Sequence, residues 1–448
     1  MRNSDALRRL FMLMTAAVLC ILETATVIYI MNRYYNHEFR TMLYLRGHIL
    51  MALIYLVVLI FLGRVFGGLM VGVRKNGEVL FSHFFTTVFA DLSFYVLLML
   101  LSLKFPNPLP LMAGALIQLI MAFVIIGYMG SWYRRIFRPY DVLLIYGSGS
   151  VEDFTPKLET RRDQFNVSDM IDANDEPEAI KAAIDRSTTV MLVDIEAAKR
   201  IRIFKYCYEN SKRIYVMPKL SDIILNGAAP IHLFDTPLLL TEGNPLEYEE
   251  RVIKRAWDIV FSMILLVLLS PIMLITALII KLSDGGPVFY RQIRCTKNGR
   301  RFEILKFRSM VVDAEKAGRA VLATKDDPRI TKVGRIIRKC RIDELPQLIN
   351  VFKGDMSFVG PRPERPEFIE KYMEEMPEFS YRMKVRAGIT GYAQLYGKYN
   401  TKPYDKLKFD LYYIEQFSLG LDIRLMILTF KILFTKESTE GTSERIEA

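Results

Sequence analysis

Four apolar runs crowd the first third of the chain, at about residues 10–31, 48–72, 82–103 and 109–131. Each is close to the ~20 residues an α-helix needs to cross bilayer hydrocarbon. Backbone groups in that layer have no water to bond, so the runs predict a helical membrane bundle. The first run is too long, and too weakly flanked by small residues, for a cleaved signal peptide. Charge then orients the bundle. Arg2, Arg8 and Arg9 precede the first run, Arg74 and Lys75 separate the second from the third, and Arg134, Arg135 and Arg138 follow the fourth. The other two loops hold Arg33, Arg40, Arg46 and Lys104. This bias predicts that both ends of the bundle, residues 1–138, face the cytoplasm. Asp91, inside the third run, is costly there and is expected to pair within the bundle.

Residues 139–245 change character. Strand-like DVLLIYG (141–147), FNVSDMI (165–171), TTVMLVDI (188–195) and RIYVMP (213–218) alternate with helical stretches at 152–162, 176–186 and 196–211. Such alternation predicts a cytoplasmic α/β domain with a parallel, Rossmann-like sheet. Gly147-Ser148-Gly149 follows the first strand as a nucleotide loop would. The third glycine of that loop is missing, however, with Glu152 and its neighbours in its place. A structural or regulatory domain is therefore expected ahead of a bound dinucleotide.

A third region, 246–435, opens with Ile259–Ile280, an apolar run interrupted at Ser270-Pro271. Proline removes a backbone donor and kinks a helix. A kinked fifth span is one reading. Arg251, Lys254 and Arg255 before the run, with Lys281, Arg291 and Arg294 after it, favour a re-entrant helix over 256–281 that enters and leaves on one face. Downstream, Arg291, Arg294, Lys297, Arg300, Arg301, Lys306 and Arg308 share eighteen residues with the single acid Glu303. Their alternation with Phe302, Ile304, Leu305 and Phe307 predicts a β-hairpin turning at Asn298-Gly299. Its cations suit lipid headgroups, a diphosphate, or both.

The net charge of +11 fits an anionic membrane face or an anionic substrate. No finger, basic zipper or aromatic RNA-binding signature is present, so nucleic acid is not an expected partner. Cys20, Cys207, Cys295 and Cys340 are scattered and imply neither a disulfide framework nor a zinc site. All four histidines precede residue 250, which leaves carboxylates, Lys, Arg, Tyr and a hard metal for chemistry in the third region. That region contains RIDELPQLINVFKGDMSFVGPRP (341–363). Asp343 and Glu344 stand just before a proline-marked helix start, and a glycine turn leads on to the rigid Pro361-Arg362-Pro363. A carboxylate that attacks or holds a metal, set among arginines that neutralise oxygens, suits chemistry on a phosphate. An isolated Asp-Glu pair is equally a solvated helix start; the basic surroundings favour chemistry. Residues 404–434 carry two apolar-rich helices, the second too short to span and expected to pack on the core, and 436–448 form a polar tail expected to be disordered.

WDIVFSMILLVLLSPIMLITALIIKLSDGGPVFYRQ, KFRSM, DDPRITKVGRIIRKCRIDELPQLINVFKGDMSFVGPRP and VRAGITGYAQLYGKYN together resemble the bacterial sugar transferase family, the polyprenyl-phosphate sugar-1-phosphate transferases. With four preceding runs and an α/β insert, the layout resembles the large-form enzymes that initiate exopolysaccharide, capsule or O-antigen synthesis. The fold expected is an integral membrane α-helical bundle, an α/β Rossmann-like domain, and a mainly α (α+β) membrane-associated catalytic domain. The resemblance implies transfer of a hexose-1-phosphate from a UDP-sugar to undecaprenyl phosphate, giving undecaprenyl-diphospho-sugar and UMP. It places the reaction on the cytoplasmic face of the bacterial inner membrane. It makes Asp343 the nucleophile that briefly carries the phosphosugar, and Glu344 a ligand of Mg²⁺. Lys306, Arg308 and Arg338 fall to substrate phosphate, and Arg362, stiffened by Pro361 and Pro363, to the uridine diphosphate. Later glycosyltransferases would take the product, and a homodimer is the default symmetric assembly. Two other readings stay open on the residues: a non-enzymatic scaffold for polysaccharide assembly, and a nucleotide-sugar oxidoreductase or epimerase using the middle domain, which the incomplete glycine loop disfavours.

Overall fold

The computed structural model describes residues 2–39, 41–147, 151–241, 243, 246–312, 327–397 and 401–433. Arg40, the glycine loop at 148–149 and the tail 436–448 lie outside the described residues. The chain forms two compact units, 1–217 and 218–448.

In the first unit, helices α1 (Arg2–Ile30), α2 (Leu45–Phe66), α3 (Asn76–Ser102) and α4 (Leu109–Ile136) take up the four apolar runs. Each is long and apolar enough to cross a membrane. Helices α1 and α3 each pack on both α2 and α4, closing a four-helix ring. Several polar groups inside the ring pair with one another, as hydrocarbon favours. Asp91 accepts a 2.8 Å hydrogen bond from the Tyr55 hydroxyl, which in turn accepts one of 3.0 Å from Gln118.

The α/β region follows with β1 (Tyr140–Tyr146), α5 (Val151–Glu159), β2 (Phe165–Asp172), α6 (Pro177–Arg186), β3 (Thr189–Val193), α7 (Ala197–Glu209) and β4 (Arg213–Val216). Its sheet is wholly parallel, in the order β2-β1-β3-β4. Strands β1 and β3 are central and covered on both faces, which is why Val142–Ile145 and Val190–Val193 are unbroken apolar runs.

The second unit begins with α8 (Leu220–Asn226) and the hairpin β5 (Ala229–Leu233) and β6 (Thr236–Leu240). Residues 218–245 were assigned to the middle domain from sequence; Leu220 and Ile223 instead bury themselves among Leu407, Leu411 and Leu425 of this unit. Then come α9 (Tyr248–Asp284), β7 (Phe289–Cys295), β8 (Arg301–Phe307), α10 (Lys332–Lys339), α11 (Gln347–Lys353), β9 (Ser357–Val359), α12 (Pro366–Glu375), β10 (Gly388–Thr390), α13 (Tyr392–Tyr396), α14 (Pro403–Glu415) and α15 (Leu419–Leu433). Helix α9 is a fifth helix long and apolar enough to cross a membrane, and it runs on through Pro271. Phe261, Leu265, Leu266 and Leu269 pack on the main core, while Met273, Ala277 and Ile280 surround Phe307 and Ile337. Strands β7 and β8 pair antiparallel from Phe289↔Phe307 to Cys295↔Arg301. Their turn places Asn298 at φ 58° and Gly299 at φ 71°, the left-handed pair that an Asn-Gly hairpin uses. Helix α15 packs on the core through Leu425 rather than standing free.

Candidate active site

The Asp343-Glu344 pair is presented by a forced reversal of the chain. Helix α10 starts on Thr331, whose hydroxyl accepts a 2.8 Å bond from the Gly334 amide. It ends at Lys339 with Cys340 as its cap, and Arg341 follows at φ 53°, a left-handed conformation costly for a long side chain. That reversal starts a 3₁₀ turn, Ile342–Glu344, which leads through Pro346 into α11. Asn350 of α11 fastens β8 alongside: its side chain accepts from the Leu305 amide at 2.9 Å and donates to the Glu303 carbonyl at 2.8 Å. The next residue of β8, Lys306, therefore reaches Glu344, Nζ to Oε1, at 3.2 Å.

Arg362 arrives from the other side, with Nη2 at 3.5 Å from Glu344 Oε1, and Arg341 Nη1 lies 4.0 Å from Oε2. The Pro361-Arg362-Pro363 loop is fixed through its main chain. Arg382 Nη2 donates to the Arg362 carbonyl at 3.0 Å, and Arg294 Nη1 to the Pro363 carbonyl at 3.1 Å. Arg382 is itself buried and bridges Asp410 at 2.9 Å, and Glu364 lies 3.7 Å from Arg294 and 3.8 Å from Arg382. Beneath the loop, β9 pairs parallel with β10 so tightly that a Cβ on Gly388 would stand 2.1 Å from the Gly360 nitrogen. Only glycine fits.

Two carboxylates thus sit among Lys306, Arg338, Arg341 and Arg362, leaving positive charge for an anion. Burial raises the Asp343 carboxyl to about 6; Glu344 adds repulsion, and Lys306, Arg338 and Arg341 pull the other way. Burial also opposes ionisation of Glu344, but Lys306, Arg362 and Arg341 outweigh it and hold that carboxyl well below its usual range. At neutral pH both carry charge.

The structure therefore brings Asp343, Glu344, Lys306 and Arg362 together, with Pro361 and Pro363 framing the last and Arg338 near enough to act on Asp343. Arg308 is not gathered with them. Its buried guanidinium bonds the Pro287 carbonyl at 2.7 Å and Asp284 at 2.7 Å, closing the end of α9 onto β8. Ser270 and Pro271 lie midway along α9, where the Ser270 hydroxyl donates to the Val267 carbonyl at 2.7 Å. Sequence reasoning overlooked Arg341, which adjoins the acidic pair by only one residue, and the loop supports Arg294, Glu364, Arg382 and Asp410.

Residues 249–436 match the model of a family described as bacterial sugar transferase. The chain is 41% identical over 225 residues, 50% of its length and 52% of the relative's, to a UDP-N-acetylgalactosamine-undecaprenyl-phosphate N-acetylgalactosaminephosphotransferase of Aeromonas hydrophila. It is 41% identical over 211 residues, 46% of its own length and 43% of the relative's, to a UDP-glucose:undecaprenyl-phosphate glucose-1-phosphate transferase of Escherichia coli K12. The chain thus spans about half the length of these two curated relatives. A shorter protein of Bacillus subtilis 168, named as a putative undecaprenyl-phosphate N-acetylgalactosaminyl 1-phosphate transferase, is 52% identical over 131 residues, 29% of this chain and 73% of that one. The acidic pair and its cations lie within residues 249–436, and the chain belongs to the bacterial sugar transferases.

Proposed function

We propose that this chain transfers a hexose-1-phosphate from a UDP-sugar to undecaprenyl phosphate, through a phosphosugar carried on Asp343. The observation that carries this reading is the half-buried acidic pair held in a four-cation surround, within the matched region. Every reactant is anionic, so the first requirement is to neutralise phosphate oxygens, and Lys306, Arg338, Arg341 and Arg362 supply that charge. An ionised Asp343 needs no general base. Its carboxylate oxygen bonds to the sugar-bearing β-phosphorus as the bond to the UMP oxygen breaks, and UMP leaves as the anion. An oxygen of the lipid phosphate then bonds to the same phosphorus, and the Asp343 ester breaks to release undecaprenyl-diphospho-sugar.

Glu344 is the side chain suited to Mg²⁺. Among the described residues no group of three or more His, Cys, Asp or Glu converges, so the protein would offer one or two carboxylates and the substrate the remaining oxygens, the pattern this hard cation prefers. When bound, it would screen the diphosphate's charge.

The membrane arrangement belongs to the same reading. We place the second unit on the cytoplasmic face of the inner membrane, with α9 re-entrant about Ser270-Pro271. Supporting this, both halves of α9 grip one small domain: Arg255 bonds the Val351 carbonyl at 2.7 Å, and Ile280 packs on Phe307. Asn350 joins α11 to β8 in that same domain, where ends on opposite sides of ~30 Å of hydrocarbon would part. The parallel sheet is read as a Rossmann-like domain of structural or regulatory use, and a homodimer and later glycosyltransferases remain the partners proposed.

Asp343→Asn decides the chemistry. It should abolish turnover, donor-dependent labelling and exchange of labelled UMP into donor without acceptor; near-normal exchange in this variant would sink the assignment.

A further inference from the structure

A second group of cations lies at the foot of α9, on residues the transfer chemistry does not use. Thr296 ties its parts together: the hydroxyl donates to the Asp355 carbonyl at 2.9 Å and accepts from the Ala387 amide at 3.1 Å. Lys297 and Arg386 adjoin these two contacts in sequence. Arg300 bridges Asp355 at 2.9 Å. Arg255 bonds the Val351 and Phe352 carbonyls, each at 2.7 Å, with Arg251 one turn earlier on the helix. Of the nearby acids, Asp355 pairs with Arg300, Asp258 accepts from Ser357 and Phe358, Glu247 caps the start of α9, and Glu250 stands in its first turn beside Arg251. Burial, with the neighbouring cations, lowers both Lys297 and Arg386 from their ordinary values, and Asp258 only partly offsets this for Arg386.

Depth identifies the missing partner. The apolar run of α9 begins at Ile259. At about 1.5 Å per residue, Arg255 lies about 6 Å outside it. A headgroup layer is about 5–8 Å thick on each side of the hydrocarbon. Val252, Ile253, Val260 and Ile264 are exposed along the same helix, ready to follow it into lipid. We propose that Arg255, Lys297, Arg300 and Arg386 form a binding site for the phosphate of an anionic phospholipid headgroup, holding the second unit against the membrane at this end of α9.

The test is lysine footprinting of the full chain in nanodiscs of phosphatidylcholine alone, or with phosphatidylglycerol replacing part of it. Acylation of Lys297 should slow several-fold with phosphatidylglycerol, while the exposed Lys205 of the α/β region keeps its rate. Arg386→Gln and Arg300→Gln should each weaken that protection about fivefold, the equivalent of about 1 kcal/mol per cation at an anionic surface. Equal labelling of Lys297 in both discs, or protection undiminished in the two variants, overturns the site. Equal protection by inorganic phosphate or pyrophosphate in phosphatidylcholine discs overturns the lipid as its ligand.

Discussion

Removing Arg382 tests whether the active-site loop is held as the geometry indicates. Arg382 and Asp410 are both almost fully buried, 4% and 1% exposed, and 2.9 Å apart. Arg382→Met leaves Asp410 buried without its partner, a change worth about 3–5 kcal/mol. For a domain of this size that lowers the unfolding midpoint by about 6–20 °C. Arg382→Met/Asp410→Leu removes both charges, so most of the loss should return, and the coupling between the sites should exceed about 2 kcal/mol. Catalysis should behave differently. In both variants the Arg362 carbonyl loses its 3.0 Å donor, so KM for the nucleotide sugar should rise in the double variant even as stability recovers. Thermal unfolding of the detergent-solubilised chain, followed through Trp257 of the second unit, measures the first effect, and UMP release the second. Strictly additive stability losses, within about 0.5 kcal/mol, would falsify the buried pair.

Three further outcomes follow from the same site. Lys306→Met should cut kcat/KM by at least tenfold with little loss of stability, whereas Arg308→Met should destabilise the protein by about 2–4 kcal/mol and leave the KM of the surviving folded enzyme near normal; the reverse pattern would return Arg308 to the substrate. Gly388→Ala should cost at least about 1–3 kcal/mol, because its Cβ meets backbone and not a movable side chain; a neutral substitution would mean that β9 and β10 are further apart. On the proposed chemistry Asp343 attacks as the carboxylate, and its carboxyl is raised to about 6, so kcat/KM should be lost as pH falls through about 6 instead of near the ordinary 4. Glu344→Gln removes the neighbouring charge and should move that acid limb downward; an unmoved limb assigns it to another group.

How much of this was legible without coordinates depended on the range of the physics. Span length, the alternation of strands with helices, and the Asn298-Gly299 turn are local signals, and each produced its element. Asp91 could be expected to find an internal partner, though nothing in the sequence pointed to Tyr55. Arg308 looked like its neighbour Lys306 because a charge run does not reveal which cation turns inward; the bond to Asp284 decides that. Strands β5 and β6 went unread because Pro230 and Pro237 interrupt them and their residues stay exposed, so no buried-face alternation marks them. The Arg382–Asp410 pair joins segments distant in the chain, and each partner alone resembles a surface charge.

One detail of the loop support reaches further. Arg382 and Arg294 grip oxygen atoms of the peptide chain, not side chains, at 362 and 363. The scaffold is therefore indifferent to which residue it displays. Position 362 is an interchangeable fitting on a fixed mount: a different side chain there gives up the contact with Glu344 and keeps both main-chain bonds that hold the loop, so the charge displayed at this point can change by a single substitution while the fold beneath stands still.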